Sequence, residues 1–158
     1  MKDVIQDKQA TISILKVLMI DIKNGILCTS KDKNGFPNVQ TVHTKEIDRH
    51  GDIFFILSSE SKNYKNLQTN KEVRLIYTIP HKSELLLITG TAETSNNMNS
   101  IEKYWSVYHT KDFAKGKSDP TIRVLKIVVG YSRVLKSAST SMIDYLKLLG
   151  RTIGNKEE

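Results

Sequence analysis

The stretch from Gly35 to Glu93 constrains the fold most, because it carries four strand-like segments and one short helix in a fixed order. Apolar residues recur at every second position from Val73 to Ile79, which is the period of a strand. The segment from Ile53 to Leu57 is apolar without interruption, as in a strand that is covered on both faces. The strands are predicted over residues 38–47, 52–58, 73–79 and 85–94, and the helix over residues 62–70.

Further elements are predicted on both sides of this stretch. They are a helix over residues 10–23, a strand over 26–30, a capping helix with the stripe Met98, Ile101, Trp105 and Tyr108, a long strand over 122–135 bent at Gly130, and a closing helix over 141–149. The 158 residues therefore predict one mainly β domain of the α+β class, with six antiparallel strands and peripheral helices. Residues 154–158 are expected to fray.

Composition and charge narrow the classes of function. The net charge of +7, from 24 basic and 17 acidic residues, favours an anionic partner such as a phosphorylated cofactor. The basic residues are scattered and are not interleaved with aromatic residues, which argues against nucleic acid. The lone Cys28 excludes an internal disulfide, the histidines indicate no metal site, and no apolar run is long enough to span a membrane. We expect a cytoplasmic protein.

The turn after residues 52–58 is a candidate phosphate site. A helix that begins at Ser61, with Lys62 in its first turn, offers backbone amides, a hydroxyl and an ammonium group to an anion. The alternative interpretation is an ordinary N-cap serine followed by a solvated lysine. A phosphorylated cofactor is the natural ligand under the first interpretation.

Several short motifs follow one another along the chain. They are Gly35-Phe36-Pro37 with Gln40-Thr41-Val42, Phe54 to Ser58 with Ser61-Lys62-Asn63, Leu67 to Val73, Thr89-Gly90-Thr91-Ala92-Glu93, and Ile101 to Trp105 with Phe113 and Asp119-Pro120. Their order and spacing resemble the FMN-binding split barrel of the pyridoxamine 5'-phosphate oxidase superfamily, and within it the general-stress-protein branch. The likeness extends over residues 10–150.

This resemblance implies a split β-barrel that binds FMN at the interface of a homodimer. The residues that match the family's cofactor site are Gln40, Thr41 and Val42 along the isoalloxazine ring, Leu57 and Ser58 beside the ribityl chain, and Ser61, Lys62 and Asn63 on the phosphate. The chain departs from the family at Asn63, where a lysine is usual, and at Gln40, where the oxidase has an arginine. Each change removes a charge-assisted contact.

The predicted strands also favour a homodimer. Residues 53–57 and 85–88 are apolar on both faces, and one small barrel is not expected to cover so much apolar surface without a partner.

The substrate site of the oxidase is only partly matched. Lys45 and Tyr104 resemble two ligands of the substrate phosphate, whereas Tyr108 and Asp112 stand where the oxidase has an arginine and a serine. An aspartate there would repel a phosphate. We therefore expect that the chain is not a working pyridoxamine 5'-phosphate oxidase.

Other aromatic and histidine side chains have simpler interpretations. His43 lacks a carboxylate or cysteine at a convincing spacing, so packing near the cofactor is favoured over acid-base catalysis. Trp105 and Tyr108 either cover the flavin or pack in the core, and the spacing favours the core. No catalytic residue is identified.

The expected function is that of a general-stress-type, FMN-dependent oxidoreductase, in which the flavin carries out redox chemistry on a small molecule. A non-catalytic carrier or sensor of FMN, deazaflavin or haem is an alternative. A basic barrel that has lost its cofactor is another.

Overall fold

The computed structural model describes residues 2–5, 8–21, 23–79 and 82–136. This part of the chain contains eight strands, three α-helices and two short 3-10 turns. The strands are β1 (Lys2–Ile5), β2 (Asn24–Lys31), β3 (Pro37–His43), β4 (Glu46–Ile47), β5 (Ile53–Ser58), β6 (Glu72–Ile79), β7 (Glu84–Ser95) and β8 (Ile122–Lys136). The helices are α1 (Lys8–Asp21), α2 (Lys62–Leu67) and α3 (Met98–Tyr104), and the 3-10 turns are Val107–Lys111 and Gly116–Ser118. The predicted closing helix over 141–149 and the frayed end at 154–158 lie outside the described residues.

The strands form one antiparallel sheet in the order β3-β2-β6-β7-β8-β5-β4, with β1 paired to β8. The two end strands of this order, β3 and β4, are consecutive in the chain and are separated only by Thr44 and Lys45. The Thr44 amide donates to the Lys23 carbonyl, and the Lys45 amide donates to the Phe54 carbonyl. This bent segment passes from β2 to β5, so it brings the two ends of the sheet together and curls the sheet into a barrel.

The predicted fold class is confirmed, but the prediction of six strands is wrong. The strand expected over residues 38–47 is divided into β3 and β4, because the chain bends at Thr44 and Lys45 to change its pairing partner. Strand β1 was not predicted, since its four residues have no apolar period. It pairs with the second half of β8, whereas β5 pairs with the first half.

The predicted bend of the last strand at Gly130 is confirmed. Thr89 pairs with Tyr131 and Gly90 pairs with Val129, so Gly130 is the extra residue of a β-bulge. A Cβ atom on Gly90 would lie 2.6 Å from the Val128 carbonyl oxygen. Glycine is therefore required where β7 and β8 approach each other at the bulge.

Strand β5 is buried on both faces, as predicted. Ile53, Phe55 and Leu57 lie in the main core inside the barrel. Phe54 and Ile56 face the other way and join a second cluster with residues of α3 and β8. Because α3 covers this second face within the same chain, β5 supplies no argument for a dimer.

The first two helices differ in their bounds from the prediction. Helix α1 covers residues 8–21 rather than 10–23; it buries Ile12 and Leu15, whereas Val17 is 56% exposed. Helix α2 ends at Leu67 rather than at residue 70. None of the helices in the described ranges is long and apolar enough to cross a bilayer.

The stripe predicted for the capping helix is wrong, because the helix ends before the stripe does. The Asn97 side chain accepts hydrogen bonds from the amides of residues 99 and 100. Helix α3 then ends at Tyr104, because Trp105 adopts an extended backbone conformation. Tyr108 therefore lies in the following 3-10 turn, and Met98 is 60% exposed.

Candidate cofactor-binding site

The turn between β5 and α2 is held by hydrogen bonds from its own residues. The Ser61 hydroxyl accepts from the Tyr64 amide at 3.1 Å and donates to the Ser58 carbonyl at 2.8 Å. Ser61 is therefore the N-cap of α2, and its hydroxyl already has two partners. The first two helical amides, those of Lys62 and Asn63, have no acceptor within the helix. These amides are the donors that this turn offers to a ligand.

Lys62 is the exposed cation at this turn. Its side chain is exposed, and it forms no ion pair with any carboxylate of the described residues. Because α2 has only six residues, its dipole is small and the Lys62 ammonium is the main attraction for an anion. These donors fit a phosphate group, provided that the phosphate lies against the first turn of α2.

Arg123 adds a second cation near this helix. Its guanidinium lies 5.7 Å from the centre of the Tyr64 ring, and its Nη1 atom donates to the carbonyls of Pro120 and Ile122 at 2.8 Å. Sequence analysis missed Arg123, because only the pairing of β8 with β5 brings it opposite Leu57.

Asn63 lies below the turn and is not directed into solvent. It is 3% exposed. Its Oδ1 atom accepts from the Thr29 hydroxyl at 2.5 Å, and its Nδ2 atom donates to Gln40 Oε1 at 3.1 Å. Asn66 Nδ2 in turn donates to the Thr29 hydroxyl at 3.0 Å. The predicted phosphate ligand Asn63 is thus part of a polar network that joins α2 to β2 and β3.

The predicted ring-binding and ribityl-binding residues face different directions. Gln40 is half-buried beside α2, Thr41 is exposed on the opposite face of β3, and Val42 is 3% exposed within the core. Leu57 is also a core residue, with 1% exposure, and Ser58 lies at the turn, where its hydroxyl accepts from the Glu60 amide. Val42 and Leu57 therefore offer a ligand only their backbone. Gln40, Ser58, Ser61, Lys62 and Asn63 come together around the first turn of α2.

A second polar cluster lies between the end of β3 and the 3-10 turn at residues 107–111. The His43 ring stacks on Tyr108, with ring centres 4.1 Å apart, and Lys45 Nζ donates to Ser106 Oγ at 2.9 Å. Burial, together with the charges of Lys45, Lys23 and Lys111, lowers the pKa of His43. Burial and the Lys23 charge also lower the pKa of Lys45. This cluster carries positive charge.

His109 is the most buried member of this cluster. It is 3% exposed, its ring lies against Trp105 and Tyr108 at 5.8 Å and 5.3 Å between centres, and its Nε2 atom has no hydrogen-bond partner among the described residues. Burial and the charges of Lys45, His43 and Lys111 lower the pKa of His109 to about 4. The ring is therefore neutral at pH 7 and acts as a packing group.

Tyr104 is engaged by a neighbouring carboxylate. Its hydroxyl donates to Glu46 Oε2 at 2.5 Å, and Lys103 Nζ lies 3.1 Å from the same oxygen. Burial and the hydrogen bond with Glu46 raise the pKa of Tyr104 to about 12, whereas this hydrogen bond lowers the pKa of Glu46. The hydroxyl that resembles a substrate-phosphate ligand is therefore not directed to a ligand.

A cavity of about 570 Å³ has a lining that includes Cys28, Thr29, Arg74, Thr89 and Gly130. Cys28 is half-buried there, and burial raises the pKa of its thiol. Within the described residues, no three His, Cys, Asp or Glu side chains are grouped as a metal site.

Comparison with known proteins identifies the family. The family model described as "Pyridoxamine 5'-phosphate oxidase like" matches residues 10–158, so the chain belongs to this family. Comparison with the sequences of curated proteins gives no match.

Solved structures of general stress proteins share the fold. A Clostridium acetobutylicum protein related to general stress protein 26 superimposes with a TM-score of 0.69 at 19% identity, over 85% of this chain and 93% of that chain. The general stress FMN/FAD binding protein of Xanthomonas citri gives a TM-score of 0.66 at 18% identity, over 86% and 94%. A pyridoxamine 5'-phosphate oxidase-related, FMN binding protein of Nostoc punctiforme gives 0.58 at 14% identity, over 78% and 82%.

Proposed function

We propose that the chain is an FMN-binding flavoprotein of the general-stress type, and that the first turn of α2 receives the phosphate of the cofactor. The observation that carries this proposal is the exposed Lys62, which forms no ion pair within the described residues, beside two amides that have no acceptor within α2. Membership of the family supports it, as do relatives described as binding FMN or FAD.

The residues at this turn have distinct roles in the proposal. Lys62 and the amides of Lys62 and Asn63 hold the phosphate, and Ser61 stabilises the turn as N-cap. Gln40 contributes its free amide nitrogen. When bound, the isoalloxazine ring supplies hydride or electron transfer to a small molecule. We place this activity in the cytoplasm.

The substrate is not expected to be pyridoxamine 5'-phosphate. The Tyr104 hydroxyl donates to Glu46, and the Lys45 ammonium donates to Ser106. A substrate phosphate would have to displace both partners and lie close to a carboxylate. The free energy needed for this displacement offsets the binding energy that would orient the amine against the flavin.

A homodimer is part of the proposal, but its support comes from β3 rather than from β5. Val39 is 61% exposed on this strand, and Phe36, which precedes the strand, is 68% exposed. Val39 and Cys28 pair across β3 and β2 on the same face of the sheet. A second copy that packs on this face would cover Val39.

A non-catalytic carrier is the second candidate. It is favoured by the hydrogen-bonded pair of Asn63 and Gln40, because neutral amides offer a ligand hydrogen bonds but no group that exchanges a proton near pH 7.

The absorption spectrum of the purified protein, before and after incubation with FMN, tests the proposal. FMN, deazaflavin and haem absorb differently. We expect a flavin spectrum, and reduction of the bound flavin followed by its reoxidation with candidate acceptors separates an oxidoreductase from a carrier. A colourless protein that takes up no FMN contradicts the proposed function.

A further inference from the structure

The side-chain amide of Asn63 is part of a chain of hydrogen bonds whose donors all point the same way, from Asn66 toward Gln40. Asn66 Nδ2 donates to the Thr29 hydroxyl, the Thr29 hydroxyl donates to Asn63 Oδ1, and Asn63 Nδ2 donates to Gln40 Oε1. The Thr29 hydroxyl orients the Asn63 amide, and Asn63 orients the Gln40 amide, because an amide that accepts at its oxygen presents its nitrogen on the other side. The chain ends at Gln40.

The end of this chain is a hydrogen-bond donor. With its oxygen occupied by Asn63, Gln40 presents Nε2, which has no hydrogen-bond partner among the described residues. Gln40 is half-buried beside the first turn of α2, whereas Asn63 is 3% exposed and uses both of its side-chain polar atoms. A ligand at this turn therefore meets the amide nitrogen of Gln40 and not the side chain of Asn63.

We propose that Asn63 is a positioning residue, which holds Gln40 so that Gln40 Nε2 donates to an acceptor oxygen of the cofactor. This inference rests on the proposed binding of FMN at the turn. It gives Asn63 a role different from that of a phosphate ligand, because its effect on the cofactor passes through Gln40. It also accounts for the pairing of two neutral amides across α2 and β3.

A double-mutant cycle tests this role by FMN titration, with flavin fluorescence as the readout. Asn63→Ala should weaken FMN binding roughly three- to tenfold, the usual effect of one hydrogen bond. In the Gln40→Ala background the same change should cost less than about twofold, because the group that Asn63 positions is already gone. Equal losses in both backgrounds would overturn the proposal, since Asn63 would then act on FMN directly.

Asn66→Ala is the matched control. It removes a hydrogen bond from the same network but leaves the contacts from Thr29 to Asn63 and from Asn63 to Gln40 in place. FMN affinity should change less than about twofold in this variant. A loss as large as that of Asn63→Ala would mean that the whole network, and not the positioning of Gln40, determines affinity.

Thr29→Val repeats the test if Asn63→Ala does not fold. It removes the donor that orients Asn63 and keeps nearly the same volume. FMN affinity should therefore fall in the wild-type background and much less in the Gln40→Ala background. Thermal unfolding of each variant verifies folding. Failure of the wild-type protein to bind FMN would refute the proposed function, whereas tight binding with additive losses would refute only the role of Asn63.

Discussion

The buried His109 makes a quantitative prediction for stability against pH. Its pKa is about 4 in the folded protein and 6.5 without the surrounding structure. Between these values the unfolded chain binds a proton that the folded protein excludes, so the free energy of unfolding falls as the pH falls. Relative to its value well above pH 6.5, the free energy of unfolding is lower by about 2 kcal/mol at pH 5 and by about 3 kcal/mol below pH 4.

The variant His109→Leu isolates this contribution, because leucine fills the site without titrating. Urea unfolding at pH 7 and pH 5 is followed by the fluorescence of Trp105, the only tryptophan, whose ring centre lies 5.8 Å from that of His109. The wild-type protein should lose about 2 kcal/mol more than the variant between the two pH values. His50→Gln, which removes an exposed histidine, is the control and should behave like the wild type. Equal losses in the wild type and His109→Leu would refute the role of His109.

Three further predictions concern ligand, assembly and substrate. Lys62→Ala should weaken FMN binding by about 1–3 kcal/mol, as measured by calorimetric titration. Lys65→Ala removes an exposed lysine of the same helix and should leave the affinity unchanged. Equal FMN affinities of the wild type and Lys62→Ala would make Lys62 an ordinary solvated lysine. Light scattering should give twice the chain mass of 18.0 kDa, and Val39→Asp should shift the protein toward monomer; a wild-type mass near 18 kDa at micromolar concentration would contradict the dimer. FMN-loaded protein in air should oxidise pyridoxamine 5'-phosphate far more slowly than about 1 per second, and turnover at or above that rate would show that Glu46 does not block the substrate phosphate.

The sequence predicts the sheet well where apolar periods are regular. Strand β6 is found over residues 72–79 against a prediction of 73–79, because its alternating residues face either the core or the outside. The double-sided burial of β5 follows from its unbroken apolar run in the same way. The bend at Gly130 was also predicted, and it falls at a bulge, which a glycine within a strand often marks.

Errors arise where tertiary contacts decide the local structure. The bend at Thr44 and Lys45 depends on hydrogen bonds to Lys23 and Phe54, which no local pattern reports. The spacing of Trp105 and Tyr108 fits a helix, but the chain leaves the helical conformation at Trp105. Helical spacing alone does not locate the end of a helix without a C-cap signal.

The candidate site is predictable in position but not in connectivity. The N-cap role of Ser61 follows from its local sequence, and the structure confirms it. The network of Thr29, Asn63 and Gln40 joins residues 23 and 34 positions apart in the chain. Such contacts become visible only when β2, β3 and α2 are placed side by side.

The central claim is that the first turn of α2 binds the phosphate of FMN. Parallel calorimetric titrations of the wild-type protein with FMN and with riboflavin test it most directly, because the two ligands differ only in the phosphate. We predict binding of FMN at one per chain and much weaker binding of riboflavin, with an FMN affinity that falls as salt is raised. Equal affinities for the two flavins, or no binding of either, would contradict the account.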